Sequence, residues 1–435
     1  MARLVVNGGK PLSGAIDPSA NKNAVLPVLC ATLLTHEPVV LNNVPDITDV
    51  RKLLAFFSAL GSTVEADFSS GTVRLTHGAG LNPDAARLPV DMRSTVMLIP
   101  ALLHRFGRAV LDDEAKGCTL GVREIDPHIE VFRAFGCNVA VEGEAIVIVA
   151  PRAFGAVQHW LDYASVTTTE NFLMCAVVAA GGSRLVNAAC EPHVQEFCRF
   201  LALMGARIDG AGTSTLKVDG RAELSGAEYR FVEDFHEIAT FLALGAITGG
   251  DVRVRNGAPE QFQLLDRTFA KFGVEVTHLG GWSQVSGAGP LQVRPPFTAH
   301  LMQKVEAAPW PYVPADLLPI FIALGVRAEG SVLFWNKVYE GALGWTSELT
   351  KFGTQAVTCD PHRVITFGGR PLAPAEVESP YIIRVAIALL MLAASIDGRS
   401  VIVGADPIRR AHPGFVENLR GLGADVRWEE EAAQG

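Results

Sequence analysis

The residues best suited to chemistry lie together in one stretch, Lys116-Gly117-Cys118-Thr119-Leu120-Gly121-Val122-Arg123-Glu124-Ile125-Asp126-Pro127-His128. A thiol beside a cation, in a polar run bracketed by glycines, is suited to a lowered pKa and to work as acid, base or nucleophile. The other six cysteines (Cys30, Cys137, Cys175, Cys190, Cys198 and Cys359) form no CxxC pair and read mostly as small buried hydrophobes in a reducing cytoplasm. No metal site is expected. Cations make the second group. Lys22 in Ser19-Ala20-Asn21-Lys22-Asn23, Arg93 in Asp91-Met92-Arg93-Ser94, and Arg384 each stand at the start of a strongly apolar segment. Ser165-Val166-Thr167-Thr168-Thr169 and Asp234-Phe235-His236-Glu237 precede two more. A buried helix leaves its first N–H groups unpaired and carries partial positive charge there, so several such starts aimed at one place would bind phosphate. Each cluster alone also suits ordinary capping. For Asp234, His236 and Glu237, capping and a domain-junction role compete with acid–base work, and His128 reads as structural or as loop support.

The elements that must position these residues recur. An apolar residue followed by glycine closes a helix-like run at Gly61, Gly136, Gly205, Gly273, Gly353 and Gly423, spaced 75, 69, 68, 80 and 70 residues apart. Such an internal period sets architecture, and the glycines suit the left-handed position just past a helix. The first unit predicts helix over 23–34, strand over 39–41, helix over 48–60, and a hairpin of 63–66 with 72–76. The first helix of each unit (23–34, 94–106, 167–180, 237–248, 316–328 and 383–396) is apolar on nearly every side. These six should be buried all round, with sheets outside. Second helices such as 193–203 and 261–272 are amphipathic and belong nearer the surface.

At 435 residues the chain exceeds one ordinary core, and six units divide into three and three. The expected domains are 22–232, carrying a loop over 112–126, and 1–21 with 233–435, the N-terminal strand Arg3–Val6 completing the second. A hydrophobic content of 49% implies a large interior, and the mean hydropathy of +0.25 agrees. A net charge of −9 argues against a general nucleic-acid or membrane-surface binder. Met1–Lys10 has no signal-peptide pattern, and Val385–Ser395 is too short to span a bilayer. A cytoplasmic location is the expectation.

With Asn21-Lys22-Asn23-Ala24-Val25-Leu26-Pro27, the Gly-Cys-Thr-Leu-Gly-Val-Arg-Glu-Ile-Asp-Pro-His loop, Pro314-Ala315-Asp316 and the six-unit plan, the chain resembles UDP-N-acetylglucosamine enolpyruvyl transferase along essentially its whole length. The related 5-enolpyruvylshikimate-3-phosphate (EPSP) synthase fits less well, because its serine-rich lysine motif is absent. The resemblance implies an α/β fold of two inside-out α/β barrel domains, each of three βαβαββ repeats, closing over a cleft. It also implies transfer of the carboxyvinyl group of phosphoenolpyruvate to a hydroxyl of a uridine nucleotide, with release of phosphate and no cofactor. Lys22, Arg123 and Arg410 would hold the phosphate and Arg384 the carboxylate. Cys118 would be the acid on a mobile lid, and Asp316 the base. Asn23 and Glu340 would stand beside the reacting groups. Arg93, Ser165 and Val166 would meet the acceptor, and Arg123, Ile125 and Asp126 its uridine. From the residues alone, Asp316 equally suits a helix-start acid, and Arg410 a surface pair with Arg409.

This chain departs from the family pattern at several positions. Ala342 stands for an arginine of the carboxylate site and Ile382 for an aspartate, while Tyr163, Thr167 and Phe235 replace a lysine, a glycine and an arginine near the acceptor. Enolpyruvyl transfer to UDP-N-acetylglucosamine, transfer to UMP as in nucleoside-antibiotic pathways, and a non-catalytic uridine-nucleotide-binding regulator are the three readings.

Overall fold

The computed structural model describes residues 2–85, 88–89, 92–111, 125–221, 223–287, 289–298 and 300–429. The chain divides into two compact units, one of Ala20–Phe231 and one of Met1–Ser19 with Val232–Gly435. Each encloses its own hydrophobic core.

The continuous unit contains α1 (Lys22–Thr32), α2 (Thr48–Leu60), α3 (Ile99–Phe106), α4 (Asp126–Ala134), α5 (Val166–Ala176) and α6 (Pro192–Leu203). Its three sheets run, in strand order, Glu228–Arg230, Val39–Asn42, Thr72–Thr76, Thr63–Asp67; then Arg108–Leu111, Ala145–Val149, Asn138–Glu142; then Arg207–Asp209, Thr215–Asp219, Gly182–Val186, Gln158–Trp160. The second unit contains α7 (Phe235–Thr248), α8 (Gln263–Ala270), α9 (Leu318–Arg327), α10 (Ile383–Ser395), α11 (Asp406–Ala411) and α12 (Phe415–Gly421), with three four-stranded sheets. One of these is completed by the N-terminal strand Arg3–Gly8, which lies antiparallel between Gly398–Val403 and Asp425–Glu429.

Helices lie inside and sheets outside, for the reason their composition gives. In α9 every residue from Leu318 to Val326 is buried, and in α10 every residue from Val385 to Ala394. Each fully buried leucine, isoleucine or phenylalanine contributes about 1.5–3 kcal/mol. Strands such as Val252–Arg255 and Thr72–Thr76 alternate instead, one face on a core and the other towards water, whereas Arg3–Gly8 and Gly398–Val403 each bury three residues in a row. Helix and sheet come close at Gly325, where an added Cβ would sit 2.7 Å from the Phe334 ring. All six period-setting glycines are left-handed, with φ of +98°, +85°, +100°, +77°, +86° and +94°.

Three helix starts differ from the sequence expectation. The 94–106 run opens as a 3₁₀ turn, Arg93–Leu98, before α3; 316–328 opens as Ala315–Leu317 before α9; 261–272 opens as Pro259–Phe262 before α8. Pro100 and Pro319, near the starts of α3 and α9, lack the N–H that would close an α-helical bond back into the preceding turn. In the fifth repeat the second helix is 3₁₀ throughout, Gly344–Phe352. Cys359 is exposed, an exception to the reading of the remaining cysteines as buried.

Candidate active site

The proposed site residues divide between the units, and Lys22, Asn23, Ile125, Asp126, Ser165, Val166 and Arg384 stand at helix starts. In the continuous unit Asn21 caps α1 by accepting a 2.9 Å bond from the Asn23 N–H, with Lys22 as the first helical residue. A cation at a helix N-terminus is unfavourable by itself, by about 0.3–1 kcal/mol. Here Asp49, early in α2, offsets that cost with its Oδ2 3.3 Å from Lys22 Nζ. Asp49 was not singled out from sequence; its signal was only an acid in the first turn of an amphipathic helix. Asn21 Nδ2 is buried with no hydrogen-bond partner among the described residues. An ammonium and an unused amide donor at the positive end of a helix form a set suited to an anion.

Ile125 is half-buried at the N-cap of α4, and Asp126 is exposed in its first turn. Ser165 caps α5, its Oγ 2.8 Å from Thr168 Oγ1, and Val166 is half-buried beside it. His128 ties these two helix starts together. Its Nδ1 lies 2.9 Å from Asn171 Nδ2, and its Nε2 lies 3.3 and 3.5 Å from the hydroxyls of Thr167 and Thr168. Asn171 Nδ2 also donates to the Val96 carbonyl, which fixes it as the amide. Nδ1 of His128 is therefore the acceptor, and Nε2 carries the proton. Burial lowers the His128 pKa to about 4, so the ring is neutral. It braces the scaffold. Glu170, on α5, is fully buried, and burial followed by the Glu191 charge pushes its carboxyl well up. Arg93 heads its 3₁₀ turn. The side chain of Arg93, together with Cys118 and Arg123, lies outside the described residues.

In the second unit Asp234 caps α7. Its Oδ1 accepts from the His236 N–H at 2.9 Å and lies 3.1 Å from His236 Nδ1. Its Oδ2 lies 3.9 Å from Nη2 of Arg384, the second residue of α10. Burial works to raise the Asp234 carboxyl, but His236, Arg384 and His412 overcome it and hold the group well below the usual carboxylate range. Glu237, one turn on, accepts from Ser19 Oγ at 2.9 Å and lies 3.7 Å from His412 Nδ1. Burial, then the Asp234 charge, pushes its pKa up to about 7. Sequence reading found Asp234, His236 and Glu237 but not their pairing with Ser19, Arg384 and His412, which are remote in the chain.

The remaining candidates are more open. Asp316 is exposed in the 3₁₀ turn before α9, Glu340 is exposed in a turn, and Arg410 is exposed at the end of α11. Arg409 beside it lies over the Trp428 ring at 4.1 Å. The departures from the family pattern are also placed. Ile382 sits at the N-cap of α10 and offers no side-chain cap. Ala342 is half-buried. Lys337 is bound to Glu306 at 2.7 Å and lies over the Trp335 ring at 4.4 Å, so its charge is already engaged. Phe235 is buried and packed on His236, with ring centroids 3.9 Å apart and ring planes tilted by 31°. Among the described residues no cluster of three His, Cys, Asp or Glu could hold a metal ion, and no helix is long and apolar enough to cross a membrane.

Residues 6–419 match the family EPSP synthase (3-phosphoshikimate 1-carboxyvinyltransferase). Curated relatives include UDP-N-acetylglucosamine 1-carboxyvinyltransferases of Borreliella burgdorferi, 33% identical and covering 98% of this chain and 99% of that protein, and of Bradyrhizobium diazoefficiens, 35% identical and covering 98% and 97%. Among solved structures, the enolpyruvyl transferase NikO from Streptomyces tendae aligns with a TM-score of 0.85 at 23% identity, over 98% of this chain and 99% of that one. The chain belongs to the EPSP synthase family and has its inside-out α/β fold. It is an enolpyruvyl (1-carboxyvinyl) transferase.

Proposed function

We propose that this enzyme transfers the carboxyvinyl group of phosphoenolpyruvate to a hydroxyl of UDP-N-acetylglucosamine or a related uridine nucleotide. The observation that carries the reading is Lys22 on the first turn of a buried helix, braced by Asp49, in a chain that aligns end to end with carboxyvinyl transferases. In the proposed path Asp316 takes the proton of the acceptor hydroxyl, whose oxygen bonds to C2 of phosphoenolpyruvate while Cys118 protonates the methylene carbon. The tetrahedral adduct then returns a methyl proton to the Cys118 thiolate and expels phosphate, restoring the double bond. Lys22, Arg123 and Arg410 stabilise the phosphate and Arg384 the carboxylate. Asn23 and Glu340 orient the reacting groups. Arg93, Ser165 and Val166 contact the acceptor, and Arg123, Ile125 and Asp126 its uridine. Preorganised cations suit such a path, because charge moves onto the leaving phosphate in the transition state.

A second acceptor, UMP, is favoured by one feature. Phe235 is packed on His236 where the resemblance implies an arginine, so a guanidinium donor for a diphosphate or an N-acetyl sugar is missing from that side. Phosphate release from phosphoenolpyruvate is measured with UDP-N-acetylglucosamine, UMP and shikimate 3-phosphate in parallel. Release with either uridine nucleotide supports the proposal and chooses between the acceptors. Release only with shikimate 3-phosphate refutes the acceptor class, and tight nucleotide binding with no release supports a regulator instead.

A further inference from the structure

Arg384 is a cation with its side chain only 13% exposed. A charge so far from water needs a counter-charge. In this family pattern the residue two positions earlier would be an aspartate, and here it is Ile382, whose side chain packs against the core instead. Among the described residues the ion-pair partner of Arg384 is Asp234, on a different helix and 150 positions away in sequence.

The geometry of Asp234 suits an anchor. Its Oδ1 is fixed twice, by the backbone N–H and by the ring of His236, and its own N–H donates to the Ser19 carbonyl at 2.8 Å. The carboxylate cannot swing, and Oδ2 is left facing the guanidinium. At 3.9 Å that contact is attraction without a hydrogen bond. The guanidinium makes no hydrogen bond to any described residue, so its forked N–H donors remain available to a planar anion. Phe235, packed on His236, supplies no competing cation beside Asp234.

We propose that Asp234 is the positioning residue for Arg384, holding its guanidinium by charge alone so that the fork is presented whole to the substrate carboxylate. The proposal rests on the reading that Arg384 takes the carboxylate of phosphoenolpyruvate. The inference can fail while that reading stands, and the test tells the two failures apart.

The test is calorimetric binding of phosphoenolpyruvate and of inorganic phosphate to wild type, Asp234→Asn, Arg384→Gln and the double variant. Asparagine caps a helix as well as aspartate does, so Asp234→Asn removes the charge and keeps the cap. Asp234→Ser, another good cap without charge, guards against a folding defect peculiar to asparagine. Both are expected to weaken phosphoenolpyruvate binding roughly tenfold while leaving inorganic phosphate within about twofold, because only the carboxylate end is affected. In the Arg384→Gln background the Asp234 change should add less than about twofold, as coupled groups do. Equal weakening of both ligands, or full weakening in the Arg384→Gln background, would mean a general structural role and overturn the proposal. Unchanged phosphoenolpyruvate binding in Asp234→Asn overturns it as well. If Arg384→Gln itself binds phosphoenolpyruvate normally, the reading of Arg384 falls and the inference with it.

Discussion

Replacing Glu237 by glutamine should stabilise the protein in a strongly pH-dependent way. Its carboxyl is buried and pushed up from the ordinary 4.5 to about 7. A group whose folded pKa is raised binds its proton more tightly folded than unfolded. Between about pH 4.5 and 7 the unfolded chain has released a proton that the folded chain retains, so stability falls as pH rises through that window. At 1.36 kcal/mol per pH unit the full penalty above pH 7 comes to about 3 kcal/mol. Glutamine keeps the shape and can still accept from Ser19 Oγ, and it has no charge to bury. The expected gain from Glu237→Gln is therefore near zero at pH 4.5 and about 3 kcal/mol at pH 8. For a unit of this size that is roughly 6–12 °C in melting temperature. Urea unfolding of wild type and variant at pH 5, 6, 7 and 8 reads the difference directly. The opposing possibility is an ionised Glu237 paired with a protonated His412, 3.7 Å away. In that case glutamine would destabilise near neutrality and the gain would have the wrong sign. A flat difference across the series would equally refute the argument.

Three further outcomes are expected. Cys118→Ser should abolish covalent labelling by fosfomycin, whose epoxide needs a thiolate; intact-mass analysis showing undiminished addition would place the reactive thiol elsewhere. Lys22→Gln should lower kcat/KM for phosphoenolpyruvate by at least about a hundredfold, the cost of removing a charged donor from an anion site, and an activity within a few-fold of wild type would remove Lys22 from the proposed phosphate set. Gly325→Ala should cost about 1–3 kcal/mol through overpacking against Phe334, seen as a lower urea midpoint; an unchanged midpoint would mean that the α9–sheet contact yields more readily than its geometry implies.

Architecture was legible because it is written in local chemistry. A left-handed position after a helix selects glycine whatever the tertiary context, so the six apolar-Gly steps marked helix ends without knowledge of the fold. The all-apolar first helices likewise announced their burial. The starts of those helices were harder to read, since a proline early in α3 or α9 decides whether the preceding turn is α or 3₁₀. The helix starts at Lys22 and Ser165 could be found from capping patterns. Their partners could not. Asp49 for Lys22, Asp234 for Arg384, and Ser19 and His412 for Glu237 are brought together by topology, at separations no local pattern encodes. His128 could be read as structural, but its bond to Thr167 depends on how α4 meets α5.

The strand Arg3–Gly8 has a consequence for how the molecule is made. It sits inside its sheet, and both of its neighbours, Gly398–Val403 and Asp425–Glu429, come far later in the chain. During synthesis the intervening stretch, Ala20–Phe231, emerges with every one of its own sheet partners and can mature early. The opening strand must wait, unpaired, until Gly398–Val403 and Asp425–Glu429 have been made. Fusions that delay or encumber the N-terminus should therefore slow the maturation of only one half of the enzyme.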